Sequence, residues 1–249
     1  MYKTSYLQTL QEILRELKAE EEATITEAAE TCADAIENGG LVHLFGSGHS
    51  VIPVLDAFPR YGSYVGLHPL MDPRLMWFTA VGPGGAHELI WLERQQGYID
   101  NFLRWHQLNE GDVMIVFSHG GKNAAPVETA IYAREQGLTV IGVTCMEHQR
   151  QAEASHSSGK LLSDVAHIAV DTHAPVEDAA VELENYEQKV AATSTVAAVA
   201  VTQLLVGEIA RRLEEKGVDL DIFKSPTAGG SPEGNAEVFA HYDEKLRHH

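Results

Sequence analysis

The sequence predicts an α/β protein, a three-layer αβα sandwich around a five-stranded parallel sheet in flavodoxin-like order. Short apolar, β-branched segments alternate with helical patterns along the 249-residue chain. These segments lack polar alternation, which is typical of parallel strands covered on both faces. Two of them run into turns rich in glycine and serine that open onto a helical pattern. Ligands of such sheets bind beyond the carboxyl ends of the strands, so we expect a site there.

The helical patterns begin with residues 5–37, which have a join near Glu20-Glu21-Glu22 and end at Asn38-Gly39-Gly40. The predicted strands are 41–45, 63–67, 113–117, 139–143 and 166–170. The later predicted helices are 51–61, 87–105, 124–136 and 193–216. The last of them is apolar on nearly every side, so we expect it to be buried in the core or in an oligomer interface. The remaining segments are a long Pro/Gly-rich loop (68–86), a polar stretch (148–163) and a tail with one short helix (235–246).

Length and composition predict one domain over residues 1–249, with an N-terminal helical segment (5–37) and a C-terminal tail (217–249). The formal charge of −18, from 36 acidic and 18 basic residues, argues against nucleic acid or an anionic membrane as partner. An anionic ligand would therefore need local backbone dipoles and a few cations.

The two cysteines, Cys32 and Cys145, fall in predicted buried elements and give no disulfide framework. The N-terminal stretch lacks the apolar core of a signal peptide, and no apolar segment is long enough to cross a bilayer. We therefore expect a reduced, cytoplasmic protein. Its 13 histidines show no metal-binding spacing, so the sequence predicts no metal and no cofactor.

Two strand-to-helix turns carry the clearest functional signal, Gly46-Ser47-Gly48-His49-Ser50 and Ser118-His119-Gly120-Gly121-Lys122-Asn123. Unpaired backbone N–H groups and the helix dipole both favour an anion at such turns. We expect the two turns to face one cavity that holds a negatively charged small molecule.

Residues 111–144 resemble the signature of the sugar isomerase (SIS) domain: Gly-Asp, an apolar strand, Ser-x-Gly-Gly-x-Asn, a helix ending in Ala-Arg-Glu-Gln-Gly, and Val-Ile-Gly-Val-Thr. The first turn resembles that family's first phosphosugar loop, and the likeness extends over roughly residues 5–216, close to phosphoheptose isomerases. The resemblance implies a homodimer or homotetramer that binds a phosphosugar without a cofactor. The implied binding residues are Ser47, Gly48, Ser50, Ser118, Gly120, Gly121, Lys122 and Asn123.

The second turn departs from the family pattern, which usually reads Ser-x-Ser-Gly-x-Ser/Thr. Gly120 replaces the second serine and Asn123 the final hydroxyl, while His119 and Lys122 fill the two variable positions. Glycine keeps its N–H and lets backbone approach closely, and asparagine still donates through its amide. Phosphate remains the first expectation for the anion; a sulfonate, a carboxylate or an uncharged sugar stays open.

Ser194 and Thr195 open the long helix, whose N-terminus would be a third cluster of donors; the alternative is that they only cap it. Asp56 is the first candidate for the catalytic base, against a simple pair with Arg60 at i+4. His49 and His119 lie in the turns and are candidates to donate or accept protons. Glu184, with Glu182, lies on an acidic loop expected near the crevice mouth, the alternative being solvation. Trp77 is a candidate sugar platform.

The predicted function is isomerisation of the aldose and ketose forms of an anionic sugar. This reaction needs a base that moves a proton between C1 and C2 and donors for the enediolate oxygen. Two alternatives remain open at this point. One is deamination or ether cleavage of an amino-sugar phosphate at the same site. The other is a non-catalytic sugar-phosphate sensor that regulates a partner.

Overall fold

A computed structural model describes residues 5–76 and 85–249 of the chain. Trp77 and part of the predicted 68–86 loop lie outside the described residues. Five parallel strands form the central sheet: β1 (Val42–Gly46), β2 (Leu67–Leu70), β3 (Val113–Phe117), β4 (Thr139–Thr144) and β5 (Ile168–Asp171). Their order is β2-β1-β3-β4-β5. This is the flavodoxin-like order, and the predicted fold class is confirmed.

Helices cover both faces of the sheet. Their bounds are α1 (Ser5–Glu20), α2 (Glu22–Glu37), α3 (Val51–Ala57), α4 (Gly85–Leu92), α5 (Tyr98–Leu103), α6 (Ala124–Glu135), α7 (Met146–Gln151), α8 (Leu162–Val165), α9 (Ser194–Glu215) and α10 (Pro232–His248). Alternate strand side chains point to opposite faces. Ile115 and Phe117 therefore pack with α1–α3, α9 and α10, while Met114 and Val116 pack with α4–α6 and α8.

Helix α9 is the longest element and packs against α2 and α3. Its buried side chains include Ala197, Val201, Leu205 and Leu213, which recur at helical spacing on one face. Val196 and Leu204 are exposed on another face. The core therefore buries one face of α9, and burial of the other face in an oligomer interface stays a prediction.

Several predicted bounds are wrong for local reasons. The 87–105 helix is two helices, α4 and α5, because Gly97 between them adopts a left-handed φ of 79°. The 51–61 helix ends at Ala57, since Phe58 precedes Pro59 and is extended. The 63–67 strand is replaced by β2 at Leu67–Leu70, because Tyr64 bridges to Ile222 outside the sheet.

The C-terminal half also holds structure that the sequence did not predict. A two-stranded antiparallel hairpin, β6 (Ala179–Val181) and β7 (Val190–Ala192), precedes α9. The tail helix α10, predicted over 235–246, spans the 17 residues Pro232–His248 and is capped by Ser231, whose hydroxyl accepts from the Gly234 N–H. Cys32 and Cys145 are free and buried, as predicted. None of the helices in the described ranges has the length and apolar character that a bilayer span requires.

Candidate functional site

The first turn, residues 46–50, bends sharply at the end of β1. A Cβ on Gly46 would lie 2.0 Å from the backbone oxygen of Ser50, so only glycine allows this return of the chain. Gly48 has a φ of 59° and starts a single 3-10 turn that leads into α3. The bend brings His49 and Ser50 to the carboxyl end of the sheet.

The second turn, residues 118–123, is closed by its own first side chain. The Ser118 hydroxyl oxygen accepts from the Gly121 N–H at 3.1 Å. Gly121 has a φ of 59°, and a Cβ there would lie 2.1 Å from Nε2 of Gln149. This side chain in turn donates to Thr144 at the end of β4. The conformation of the turn therefore depends on a neighbouring strand and helix.

Both turns face one small pocket at the carboxyl end of the sheet, as expected. It is lined by His49, Ser50, Pro53, Phe117, Ser118, His119, Val143, Thr172, Ser194, Thr195 and Ala198. Its cavity volume is about 10 Å³, room for about one water molecule. A bound sugar would therefore require the lining side chains to move, and His49 is already exposed.

Glu93, just beyond α4, connects the two turns. Its carboxylate accepts from Ser47 Oγ at 3.3 Å and from Asn123 Nδ2 at 2.9 Å. Burial raises the pKa of Glu93, while Arg94 and the Ser47 hydroxyl oppose the shift. Sequence reasoning missed this residue, because it lies within a helical pattern and belongs to no motif.

Histidine and lysine side chains gather around the second turn. The His119 and His148 rings lie 5.5 Å apart, and a Cβ on Gly120 would be 3.3 Å from Cε1 of His148. Burial lowers the pKa of His148, with nearby His119 and Lys122 acting in the same direction. Lys122 and His148 also line an open cavity of about 570 Å³. His148 was not predicted; it lies 25 or more residues from the motif in sequence and only the fold brings it to Gly120.

The N-terminus of α9 holds a carboxylate of the protein itself. Asp178 accepts from the backbone N–H groups of Thr193 at 3.0 Å and Ser194 at 2.6 Å, and from Ser194 Oγ at 2.9 Å. Ser194 and Thr195 do line the pocket. The Ser194 hydroxyl and N–H bind Asp178 in this structure, and the ligand-binding role of Ser194 and Thr195 stays a prediction.

Two of the predicted catalytic carboxylates lie apart from the pocket. Asp56 pairs with Arg60 at i+4 and accepts from Gln203 Nε2 at 2.7 Å. Glu184 is exposed between β6 and β7. Neither residue is among those that line the pocket in the described part of the chain. Of the predicted proton-transfer groups, the structure brings His49 and His119 to it.

A family model described as the SIS domain matches residues 5–145, more than half of the chain. The chain belongs to the SIS domain family. This SIS protein is 34% identical over 243 residues to a UPF0309 protein from Halalkalibacterium halodurans, an overlap of 98% of this chain and 95% of that relative. It is 31% identical over 247 residues to a UPF0309 protein from Oceanobacillus iheyensis, with 99% of both chains covered.

Solved structures confirm the SIS fold. A phosphoheptose isomerase from Francisella tularensis superposes with a TM-score of 0.56 at 16% identity, covering 83% of this chain and 95% of that one. Phosphoheptose isomerase GmhA from Neisseria gonorrhoeae gives a TM-score of 0.56 at 14% identity, covering 83% and 96%. At these identities the likeness establishes the architecture that this SIS protein shares with them.

Proposed function

We propose that this SIS protein is a cofactor-independent aldose–ketose isomerase acting on a phosphorylated or similarly anionic sugar. The observation that carries the proposal is the convergence of both turns on one pocket, with His49 and Ser50 from the first and Ser118 and His119 from the second. The phosphoheptose isomerases with the same fold give the reaction class. One proton moves from C2 to C1 and one from O2 to O1, so the atoms balance and the reaction needs no co-reactant.

The anion is held at the second turn in this proposal. The Ser118 hydroxyl oxygen accepts a 3.1 Å hydrogen bond from the Gly121 N–H, which closes the turn. The backbone N–H groups of such a turn favour an anion. Gly120 leaves space that His148 occupies, so an imidazole replaces the serine hydroxyl of the usual family pattern. Lys122 supplies a positive charge and His148 an imidazole beside the turn, which favours an anion locally in a chain with a net charge of −18.

His119 is the proton-transfer group in this proposal. Its Nε2 lies 3.2 Å from the Val176 carbonyl oxygen, which only accepts, so Nε2 carries the hydrogen. In the neutral ring Nδ1 then keeps its lone pair, and it is buried without a hydrogen-bond partner. Such a nitrogen can take a proton from a sugar carbon. Asp56 is the weaker candidate, because Arg60 and Gln203 occupy its carboxylate.

The reaction is tested by hydrogen–deuterium exchange at C2 in D₂O, over a panel of sugar phosphates, sugar sulfonates and the matching neutral sugars. We expect exchange with at least one anionic sugar. His119→Asn should slow it by about 100-fold or more at retained ligand affinity. Asp56→Asn and His241→Asn, the second an exposed histidine on α10, should stay within a few-fold of the unsubstituted protein.

Each alternative gives a different result in the same assay. Loss of exchange in Asp56→Asn but not in His119→Asn assigns the base to Asp56. Tight binding of a sugar phosphate with no C2 exchange supports the non-catalytic sensor. Release of ammonia or of an ether fragment from an amino-sugar phosphate supports a deaminase or an etherase.

A further inference from the structure

A cluster of histidines lies at the amino ends of the strands, at the opposite edge of the sheet from the pocket. His43 is the second residue of β1, and Asp112 directly precedes β3. The parallel register pairs Val42 with Val113, so these two side chains are neighbours across the strands. His249, the residue directly after α10, reaches the same place.

The three side chains meet at one carboxylate oxygen. His43 Nε2 lies 3.0 Å and His249 Nε2 lies 2.8 Å from Oδ2 of Asp112. All three are nearly fully buried, with side-chain exposures of 0%, 6% and 1% for His43, His249 and Asp112. One potential ligand atom from each lies within 4.8 Å of the others. The position of His249 is fixed further by its backbone oxygen, which accepts from Asn109 Nδ2.

Two more imidazoles border the cluster. His68 and His106 line a cavity of about 300 Å³ together with His43 and His249. The ring centroid of His43 lies 5.4 Å from that of His68 and 5.8 Å from that of His249. Four imidazoles and a carboxylate are therefore concentrated in a place that the proposed isomerase reaction does not use.

We propose that His43, Asp112 and His249 bind a divalent transition-metal ion, with Zn²⁺ the ion that suits this donor set. Two imidazole nitrogens and one carboxylate oxygen are a common zinc ligand set, and His68, His106 or water supplies the remaining position. Coordination needs the lone pairs of both Nε2 atoms, so on binding each imidazole carries its hydrogen on Nδ1 instead of donating it from Nε2 to Asp112. The ion ties the end of α10 to β1 and β3.

No sequence spacing predicts this site, because His43 and His249 lie 69 and 137 residues from Asp112 along the chain. The competing interpretation is that the three side chains form only a hydrogen-bonded link. In that case the cluster has no affinity for a metal beyond that of scattered surface histidines.

The test is titration of untagged, chelator-treated protein with Zn²⁺ alone, followed by calorimetry and by metal analysis after gel filtration. His249→Ala is the main variant, because it removes one ligand at the chain end and leaves the core intact. His248→Ala is the matched control, an exposed histidine next to it. Asp112→Asn is a second variant, and its folding is checked by circular dichroism because Asp112 also binds the Leu41 and Asn109 N–H groups.

We expect one Zn²⁺ per chain in the unsubstituted protein and in His248→Ala. His249→Ala should lose about tenfold or more in affinity. Co²⁺ in place of Zn²⁺ should give a visible d–d spectrum that His249→Ala lacks. Equal Zn²⁺ affinity in all variants, or no retained metal in the unsubstituted protein, would overturn the proposal. Neither result depends on isomerase activity.

Discussion

Asn123 donates a 2.9 Å hydrogen bond to the Glu93 carboxylate, which also accepts from Ser47 in the other turn. Asn123 stands where the SIS pattern usually has a hydroxyl residue, and here its amide is directed at a protein carboxylate. The replacement therefore links the two turns to each other through Glu93. The first turn and the second turn are expected to move together when a ligand enters.

Replacing Glu93 tests this link. Glu93→Ala removes both hydrogen bonds and leaves the Asn123 amide without its acceptor, so we expect a loss of about 1–3 kcal/mol in the free energy of unfolding. Glu93→Gln keeps an acceptor for Asn123 and should cost less. Urea denaturation followed by circular dichroism measures both. Equal stability of Glu93→Ala and the unsubstituted protein would contradict a structural role for the link.

The pH dependence of the Glu93→Gln variant has a definite sign. Burial raises the pKa of Glu93 in the folded protein above its ordinary value of 4.5. Between pH 4.5 and the higher pKa of the folded protein, the folded state binds more protons than the unfolded state. The free energy of unfolding therefore falls as the pH rises through this range. Glutamine cannot ionise and avoids this loss. The stability of Glu93→Gln relative to the unsubstituted protein should therefore rise with pH above about 4.5 and level off below it.

Gly120→Ser restores the serine of the usual family pattern at the position beside which the His148 imidazole now lies. The added Cβ would lie 3.3 Å from the His148 ring, closer than ordinary contact, so His148 must shift. We expect a loss of about 1 kcal/mol, and a smaller loss when His148→Ala is already present. A double-mutant cycle by thermal or urea denaturation measures this coupling. Additive effects would mean that Gly120 and His148 do not compete for the same space.

Anion binding should be coupled to protonation of His148. Its pKa lies below the ordinary 6.5 in the free protein, and a bound anion favours the charged imidazolium. Sulfate, which does not titrate in this range, should therefore bind with proton uptake near pH 6. Calorimetry in two buffers of different ionisation enthalpy measures the uptake. His148→Ala should abolish it, while His241→Gln on α10 should retain it.

Asp178→Ala removes the carboxylate at the N-terminus of α9. The Ser194 N–H and hydroxyl lose their acceptor, whereas the Thr193 N–H keeps the Asp178 backbone oxygen at 2.8 Å. We therefore expect a loss of about 1 kcal/mol, and at most about 2. Asp219→Ala, at an exposed position, is the control and should be near neutral. Chemical denaturation of the two variants side by side checks the difference. A loss in the control as large as in Asp178→Ala would attribute the effect to net charge.

The sheet and the two turns could be predicted from sequence because their signals are local. Uninterrupted apolar strands and the glycines of both turns reflect backbone requirements within a few residues, as Gly46 and Gly121 illustrate. The strand at 63–67 was placed wrongly because the pairing of Tyr64 with Ile222 spans most of the chain. Nothing near Tyr64 in the sequence reports such a partner.

The side chains that complete the site are less predictable for the same reason. Asp178 accepts a hydrogen bond from Ser194, and Glu93 accepts hydrogen bonds from Ser47 and Asn123. His148 occupies the space next to Gly120. Each partner comes from a different segment and has no motif of its own. The family resemblance assigned roles to the turn residues, but it did not reveal which protein groups compete with a ligand for them.

Asp178 also makes the two sides of the pocket electrostatically different. Its negative charge is bound to the pocket residue Ser194 at the N-terminus of α9, whereas His119 lines the pocket from the second turn, with His148 and Lys122 next to that turn. A molecule with its charge at one end and hydroxyl groups at the other would be repelled in one orientation and attracted in the reverse one. A molecule charged at both ends, such as a bisphosphate, would always present one phosphate to a carboxylate and would be a poor ligand.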